Sequence, residues 1–390
     1  MNRTIKMLIA FAVVVSFCIT PVAYGMSTPV TEEMSPDMTL GDYAISSSKA
    51  EEISEKVVEL NSMESFKSIE KDSILEIGNN SSSLIGSAEY YKSLTKCISD
   101  SIPVVSLDGV SVFTDSNLDM PTAFVENATA SGVYYDKSTG AMCCYSVKCD
   151  DLNEARNRVY GWADDKLAQS LEIKENVSLA SSAETPVWGG EIQSYGDISC
   201  GDYGWFYIRT NYYEQMTNSN TYRYYQADYK LQAVPNTNAN TRIADMNVQC
   251  DVDKLRSTQK LLDYGPTTTS GSSTASVNLN WSISLTGGFQ VGMGIERSYS
   301  IPDIMVHDYS SFGDNLFTCS HDIQESGNVG SSTILVKPGL IASSARSTDN
   351  GSYTIEDNYS VNYCKYQKVG SSWSCQNYHL FYTTLNVNIP

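Results

Sequence analysis

The chain has 390 residues, room for two ordinary domains or one large one with additions. Hydrophobic residues make up 41% and charged residues 18%, too apolar a balance for a disordered chain. With 26 Lys and Arg against 45 Asp and Glu, the formal charge of -19 repels phosphate backbones and excludes nucleic acid as a partner.

The first 25 residues read as a secretory signal. Arg3 and Lys6 form a basic start, Met7 to Cys18 an apolar run, and Ala23-Tyr24-Gly25 a small-residue cleavage site before Met26. The expected location is secreted or at the extracellular surface. No later stretch reaches the roughly 18 apolar residues of a membrane-spanning helix. Past the signal segment, Asn-x-Ser/Thr occurs at Asn79, Asn80, Asn127, Asn176, Asn280, Asn350 and Asn358. These are acceptor sites for surface glycans or chance matches in a Ser/Asn-rich chain.

Residues 26–184 carry 27 acids and 12 bases, whereas residues 185–390 carry 18 and 12. Ser178 to Pro186 reads as a linker between them. The acidic first part is expected to be an α+β domain that serves as a pro-region, a cover or a second domain. Ala50 to Ile69 has helical periodicity, with Ile53, Val57, Val58, Leu60 and Met63 near one face. Ser106 to Phe113 is expected as a short strand. Gly132 to Tyr135 and Ala141 to Val147 form a hairpin about Lys137-Ser138-Thr139-Gly140. An amphipathic helix runs from Asp150 to Leu171, opened by acidic caps.

Residues 185–390 read as a mainly antiparallel β-sandwich. Trp205 to Tyr213 and Tyr222 to Val234 are Tyr-rich strands, followed by strands near residues 276–285, 289–301, 332–336, 359–366 and 378–389. Their tyrosines serve strand packing or an outer surface, and Tyr212, Tyr213, Tyr222 and Tyr224 are candidates for lipid or receptor contact.

In an exported chain, cysteines default to disulfides. Cys364 and Cys375 flank a turn and could close a hairpin; Cys200 and Cys250 are candidate partners across the Tyr-rich hairpin. Cys143, Cys144 and Cys149 cluster, with Cys97 as a partner. No Cys-x2-Cys pair supports a metal site. His307-Asp308 and His321-Asp322 are neighbours on strands and so point to opposite faces. Nucleophile elbow, His-Glu-x-x-His, phosphate-loop and dinucleotide motifs are all missing from the sequence. No catalytic residue, metal ligand or cofactor is assigned, and the expected activity is not enzymatic.

Residues 276–297 say most. Val277, Leu279, Trp281, Ile283 and Leu285 alternate with Ser and Asn. After Thr286-Gly287-Gly288, Phe289, Val291, Met293 and Ile295 alternate with Gln, Gly and Glu. A three-residue turn at Thr286, Gly287 and Gly288 pairs Leu285 with Phe289, Ile283 with Val291, Trp281 with Met293 and Leu279 with Ile295. One face is then continuously apolar and the other holds Ser, Asn, Gln and Gly, with Glu296 its only acid. Strands of about ten residues cross a bilayer in a tilted barrel. The polar run Thr267 to Ala275 would tether such a hairpin. The same alternation also describes any half-buried sandwich hairpin.

A hairpin of this kind, set between sandwich strands over residues 189–390, resembles the stem of the leukocidin/haemolysin family of β-pore-forming toxins. The resemblance implies a stem that packs on the sandwich in the monomer and then joins six to eight copies in a membrane barrel. It implies membrane binding, homo-oligomerisation and Val277 to Ile295 as the inserting segment. The hairpin is shorter than the usual stem, and the acidic first part has no counterpart in short members. The alternative is a non-catalytic secreted or cell-surface adhesion protein that binds a glycan or receptor.

Overall fold

The computed structural model describes residue 40 and residues 42–78, 81, 84–174, 190–215, 221–267, 274–284, 290–300, 304–323 and 332–390. The signal segment, the core of the expected linker, Leu285, Phe289 and the turn Thr286, Gly287 and Gly288 lie outside these residues.

Helix α1 (Ser47–Ser54) starts at Ser46, whose hydroxyl accepts the Lys49 N–H at 3.2 Å. The helix expected over 50–69 stops there. Val57 and Val58 instead enter strand β1 (Val57–Glu59), which pairs in parallel with β2 (Ile74–Ile77). β-branched residues gain more from that pairing than from another helical turn. Helix α2 (Ala88–Ser99), whose N-cap Ser87 accepts the Tyr90 N–H, leads into β3 (Val104–Ser106). Of the strand expected over Ser106 to Phe113 only Ser106 is in β3, and Gly109 turns the chain at φ 79°. Then come β4 (Thr122–Val125), β5 (Ala130–Asp136), β6 (Ala141–Lys148) and helix α3 (Leu152–Lys174). The β5–β6 hairpin and this Asp-capped helix stand as expected: Asp151 accepts the Asn153 N–H at 2.8 Å.

The remaining strands follow in chain order. They are β7 (Glu191–Ser199), β8 (Gly204–Gln215), β9 (Tyr222–Pro235), β10 (Thr241–Asp251) and β11 (Lys260–Gly265). Next are β12 (Thr274–Ser284), β13 (Gln290–Ser300), β14 (Ile304–Asp308) and β15 (Leu316–Ile323). Last are β16 (Ile334–Val336), β17 (Gly339–Ala345), β18 (Tyr353–Val369) and β19 (Ser372–Ile389).

Two sheets dominate. One mixed sheet of 11 strands runs β1-β2-β3-β5-β6-β7-β8-β9-β17-β11, with β16 also on β9. An antiparallel sheet of six runs β14-β15-β10-β18-β19-β4. Their inner faces share one core. Phe206, Ile208, Tyr229 and Leu231 of the first meet Met246, Val248, Phe317 and Val361 of the second. Helix α3 covers the other face of the large sheet, with Val159, Trp162, Ala163 and Leu167 buried. Gly132 of β5 permits this approach, since a Cβ there would lie 2.5 Å from the Trp162 ring.

The expected division near residue 184 does not part the sheets. Strand β6 pairs with β7 along eight residues from Ala141↔Glu191 to Lys148↔Ile198, and β4 closes onto β19. The described residues fall in one compact unit. A buried charge cluster ties the two parts further. Asp197 of β7 accepts from Tyr145 of β6 at 2.8 Å and from Arg158 of α3 at 3.1 Å, and pairs with Arg209 of β8 at 2.8 Å. The Arg158 guanidinium also lies 3.6 Å from the Trp205 ring centre.

Candidate membrane-inserting hairpin

Strands β12 and β13 form a two-stranded sheet of their own. Among the described residues they pair only with each other. Their register joins Leu279 to Ile295, Trp281 to Met293 and Ile283 to Val291, as the alternation predicts. Val277 lies opposite Arg297, where the apolar pattern ends. The other face, by the same register, holds Asn278 with Glu296, Asn280 with Gly294, Ser282 with Gly292 and Ser284 with Gln290.

The place of the hairpin in the chain is distinctive. It follows β11, an edge strand of the large sheet, and precedes β14, an edge strand of the small one. It is therefore spliced between an edge of one sheet and an edge of the other. Strand β12 runs beside β11 and β17. Neither large sheet relies on it for an interior strand. Eleven residues per strand, tilted about 45° at roughly 3.3 Å per residue, rise about 25 Å, which matches the apolar band of an outer-membrane-type barrel.

The scaffold around it is locked where the two large sheets meet. Asp357 of β18 is fully buried and accepts from the Tyr212 hydroxyl, from Tyr229 at 3.0 Å and from Tyr359 at 3.4 Å. Burial raises its carboxyl to about 6 against the hydrogen bonds from these tyrosines and from Cys250, which lower it. Tyr212 and Tyr229 come from the opposite sheet, so the carboxylate bridges the sandwich. Nothing local in the sequence marks it: Tyr212 and Asp357 lie 145 residues apart.

This lock corrects two of the aromatic assignments. Tyr212 is a buried donor to Asp357, and Tyr224 is buried as well, so neither is a surface contact in this state. Tyr213 is half-buried, and Tyr222 is 38% exposed. The larger exposed aromatics are elsewhere: Tyr382 at 78%, Tyr309 at 62% and Tyr378 at 55%.

Cys364 and Cys375 are bonded, stapling β18 to β19. Cys200 and Cys250 are free buried thiols. Cys200 lies beside Tyr363, which pairs with Ile243, while Cys250 pairs with Asp357. Seven residues along β10, about 23 Å at roughly 3.3 Å each, separate the two levels, far beyond disulfide reach. Cys143 and Cys144 point into the cores on opposite faces of β6, so they share no partner. His321 is buried, and loss of solvent lowers it to about 3; Asp322 lies on the other face. His379 stacks on Tyr203 at 5.1 Å. Among the described residues no group of His, Cys, Asp or Glu is placed to hold a metal ion, and no helix is long and apolar enough to cross a membrane.

The architecture is a β-rich, disulfide-bearing protein of two large packed sheets with an inset hairpin. No family model and no curated protein matches the sequence. Among solved structures it is similar to Clostridium perfringens delta-toxin at 10% identity, over 50% of this chain and 89% of that one, with a TM-score of 0.34. A structure described as a pore forming protein is similar at 10% identity over 50% and 90%, with a TM-score of 0.33. The Clostridium perfringens NetB toxin in its membrane inserted form is similar at 10% identity over 51% and 96%, with a TM-score of 0.28. The likenesses are distant and reach half of this chain.

Proposed function

We propose that this is an exported, non-catalytic protein that binds membranes, oligomerises and inserts the hairpin of residues 276–297 to form a β-barrel pore. The supporting observation is the position of β12 and β13: a self-paired hairpin between two sheet edges, apolar on one side from Leu279↔Ile295 to Ile283↔Val291 and polar on the other, where Glu296 is the one charge. A strand pair that is no interior part of either sheet leaves without unpairing them. In a closed barrel, each copy meets neighbours on both sides and every backbone group is satisfied. Val277, Leu279, Trp281, Ile283, Leu285, Phe289, Val291, Met293 and Ile295 then face lipid, and the Ser, Asn and Gly positions line the lumen.

The test is dye release from vesicles by the full chain, with electron microscopy of the lipid fraction. Release with ring-shaped particles is expected. Monomeric protein on the vesicles without release moves the assignment to the adhesion reading.

A further inference from the structure

The outer face of the six-stranded sheet is largely polar. Register aligns His307, Ser320, Asn247, Ser360 and Tyr382 in one row across five strands. The next row holds Met305, Asp322, Asp245, Asn362 and Leu380. On the other side lie Thr318, Gln249, Asn358 and Thr384, with Tyr309 at the margin. None of these positions is Lys or Arg. The intervening residues Met246, Val248, Phe317 and Val361 are buried in the core, so these rows face outward.

The surface is a floor of short amides and hydroxyls between two raised aromatic margins. Five strands at about 4.8 Å give a width of about 19 Å. Tyr382 stands 78% exposed on one margin, and Tyr309 62% exposed on the other. The floor is held in place. Asn247 donates to Asp245 at 2.9 Å and to Ser360 at 3.1 Å, and Asn362 donates to Asp245 at 3.0 Å.

We infer that this face binds a neutral oligosaccharide. The chemistry matches on three counts. Exposed tyrosine rings offer flat apolar faces to sugar C–H surfaces while keeping a polar rim. Fixed amides and hydroxyls supply both donors and acceptors, as sugar hydroxyls require. The named rows hold no cation and their aspartates repel phosphate and anionic lipid, while Lys254 is already paired with Glu356, one row further along β18. The inference does not depend on pore formation.

The test uses the full chain on an array of neutral galactose-, N-acetylgalactosamine-, N-acetylglucosamine- and mannose-terminated oligosaccharides. A second arm uses phosphatidylcholine vesicles with and without a neutral glycosphingolipid. Retention on at least one array glycan is expected, weakened about tenfold by Y382A and by N247A. Tyr382 is so exposed that its truncation leaves the fold intact, which circular dichroism checks. Added retention on glycosphingolipid vesicles would identify a headgroup as the source; retention on the array alone would identify a glycan free of lipid. I283D should keep glycan retention even where it stops dye release, which separates this surface from the hairpin. No retention on any array glycan, retention unchanged in both variants, or Tyr382-dependent binding to plain phosphatidylcholine vesicles would overturn the inference.

Discussion

The molecule contains two long hairpins that read alike in sequence and stand differently in the fold. β12–β13 and β18–β19 both alternate apolar with polar or small residues, in strands of at least 11 residues. Yet β18 lies in the middle of the six-stranded sheet between β10 and β19, while β12 and β13 make a sheet of two. The inward positions of β18 are Tyr353, Ile355, Asp357, Tyr359, Val361 and Tyr363, all buried, and Asp357 is held by tyrosines of the opposite sheet. Alternation thus shows that a strand has two faces. What the apolar face meets depends on neighbours contributed from elsewhere in the chain.

The sharpest way to break the comparison is one charge placed in each hairpin. Ile283→Asp puts a carboxylate on the face proposed to meet lipid, and every copy in a barrel carries it. Dye release should fall below detection while the thermal midpoint moves little. Asn280→Ser, on the opposite face, should release dye like the parent. Equal losses in both variants would show that the hairpin has no lipid side. A large drop in the midpoint with Ile283→Asp would make it core.

The built-in hairpin should behave oppositely. Asp357→Ala removes the acceptor shared by Tyr212, Tyr229 and Tyr359 and leaves buried hydroxyls unpaired. The expected loss is about 3–5 kcal/mol, read by chemical denaturation. A loss below about 1 kcal/mol would mean that the two sheets do not depend on this bridge.

Acidity separates the carboxyl from its tyrosine partners. Asp357 sits above its ordinary 3.8, at about 6, chiefly because burial disfavours the charge. A carboxyl with a raised folded value binds its proton more tightly folded than unfolded. Its contribution therefore grows as pH falls from about 6 towards 3.8 and is lost as pH rises through 6. The full swing is roughly 3 kcal/mol. His321 acts in the other direction: its lowered value supports the fold above 6.5 and withdraws that support as pH falls towards 3. Asp357→Asn isolates the first effect. The stability difference between parent and variant should change with pH between 4 and 6 and be flat above 7. A difference constant with pH would place the carboxyl at its ordinary value.

Much of this was legible in the sequence, and the misses share a cause. The register of β12–β13 follows from period-2 patterning and hairpin closure, which are local. The Cys364–Cys375 staple spans 11 residues and was equally readable. By contrast, the sheet running through β6 and β7 joins segments separated by a 23-residue helix and a linker, and no composition shift reports such pairing. The burial of Tyr212 and Tyr224 escapes the sequence for the same reason. Tyr212 and Tyr382 sit in similar Tyr-rich strands, and only the opposing sheet buries one and leaves the other exposed.

The staple offers the smallest stability effect and the cleanest contrast between thiols. A loop of this size contributes about 2–3 kcal/mol when closed, mostly by restricting the unfolded chain. Cys364→Ser with Cys375→Ser should lower stability by that amount and leave dye release unchanged, since the bond lies in the hairpin that stays. In the folded parent the remaining thiols should differ by burial. Cys149 is partly exposed, while Cys97, Cys143, Cys144, Cys200, Cys250 and Cys319 are buried. Burial raises the thiols of both Cys149 and Cys97 to about 11, so access rather than ionisation must decide between them. A thiol reagent should therefore label Cys149 first, slowly, with the buried six following only on unfolding. Rapid labelling of Cys250 in the native protein would mean that the sheets open at the Asp357 bridge, which would make the scaffold as mobile as the hairpin it is proposed to release.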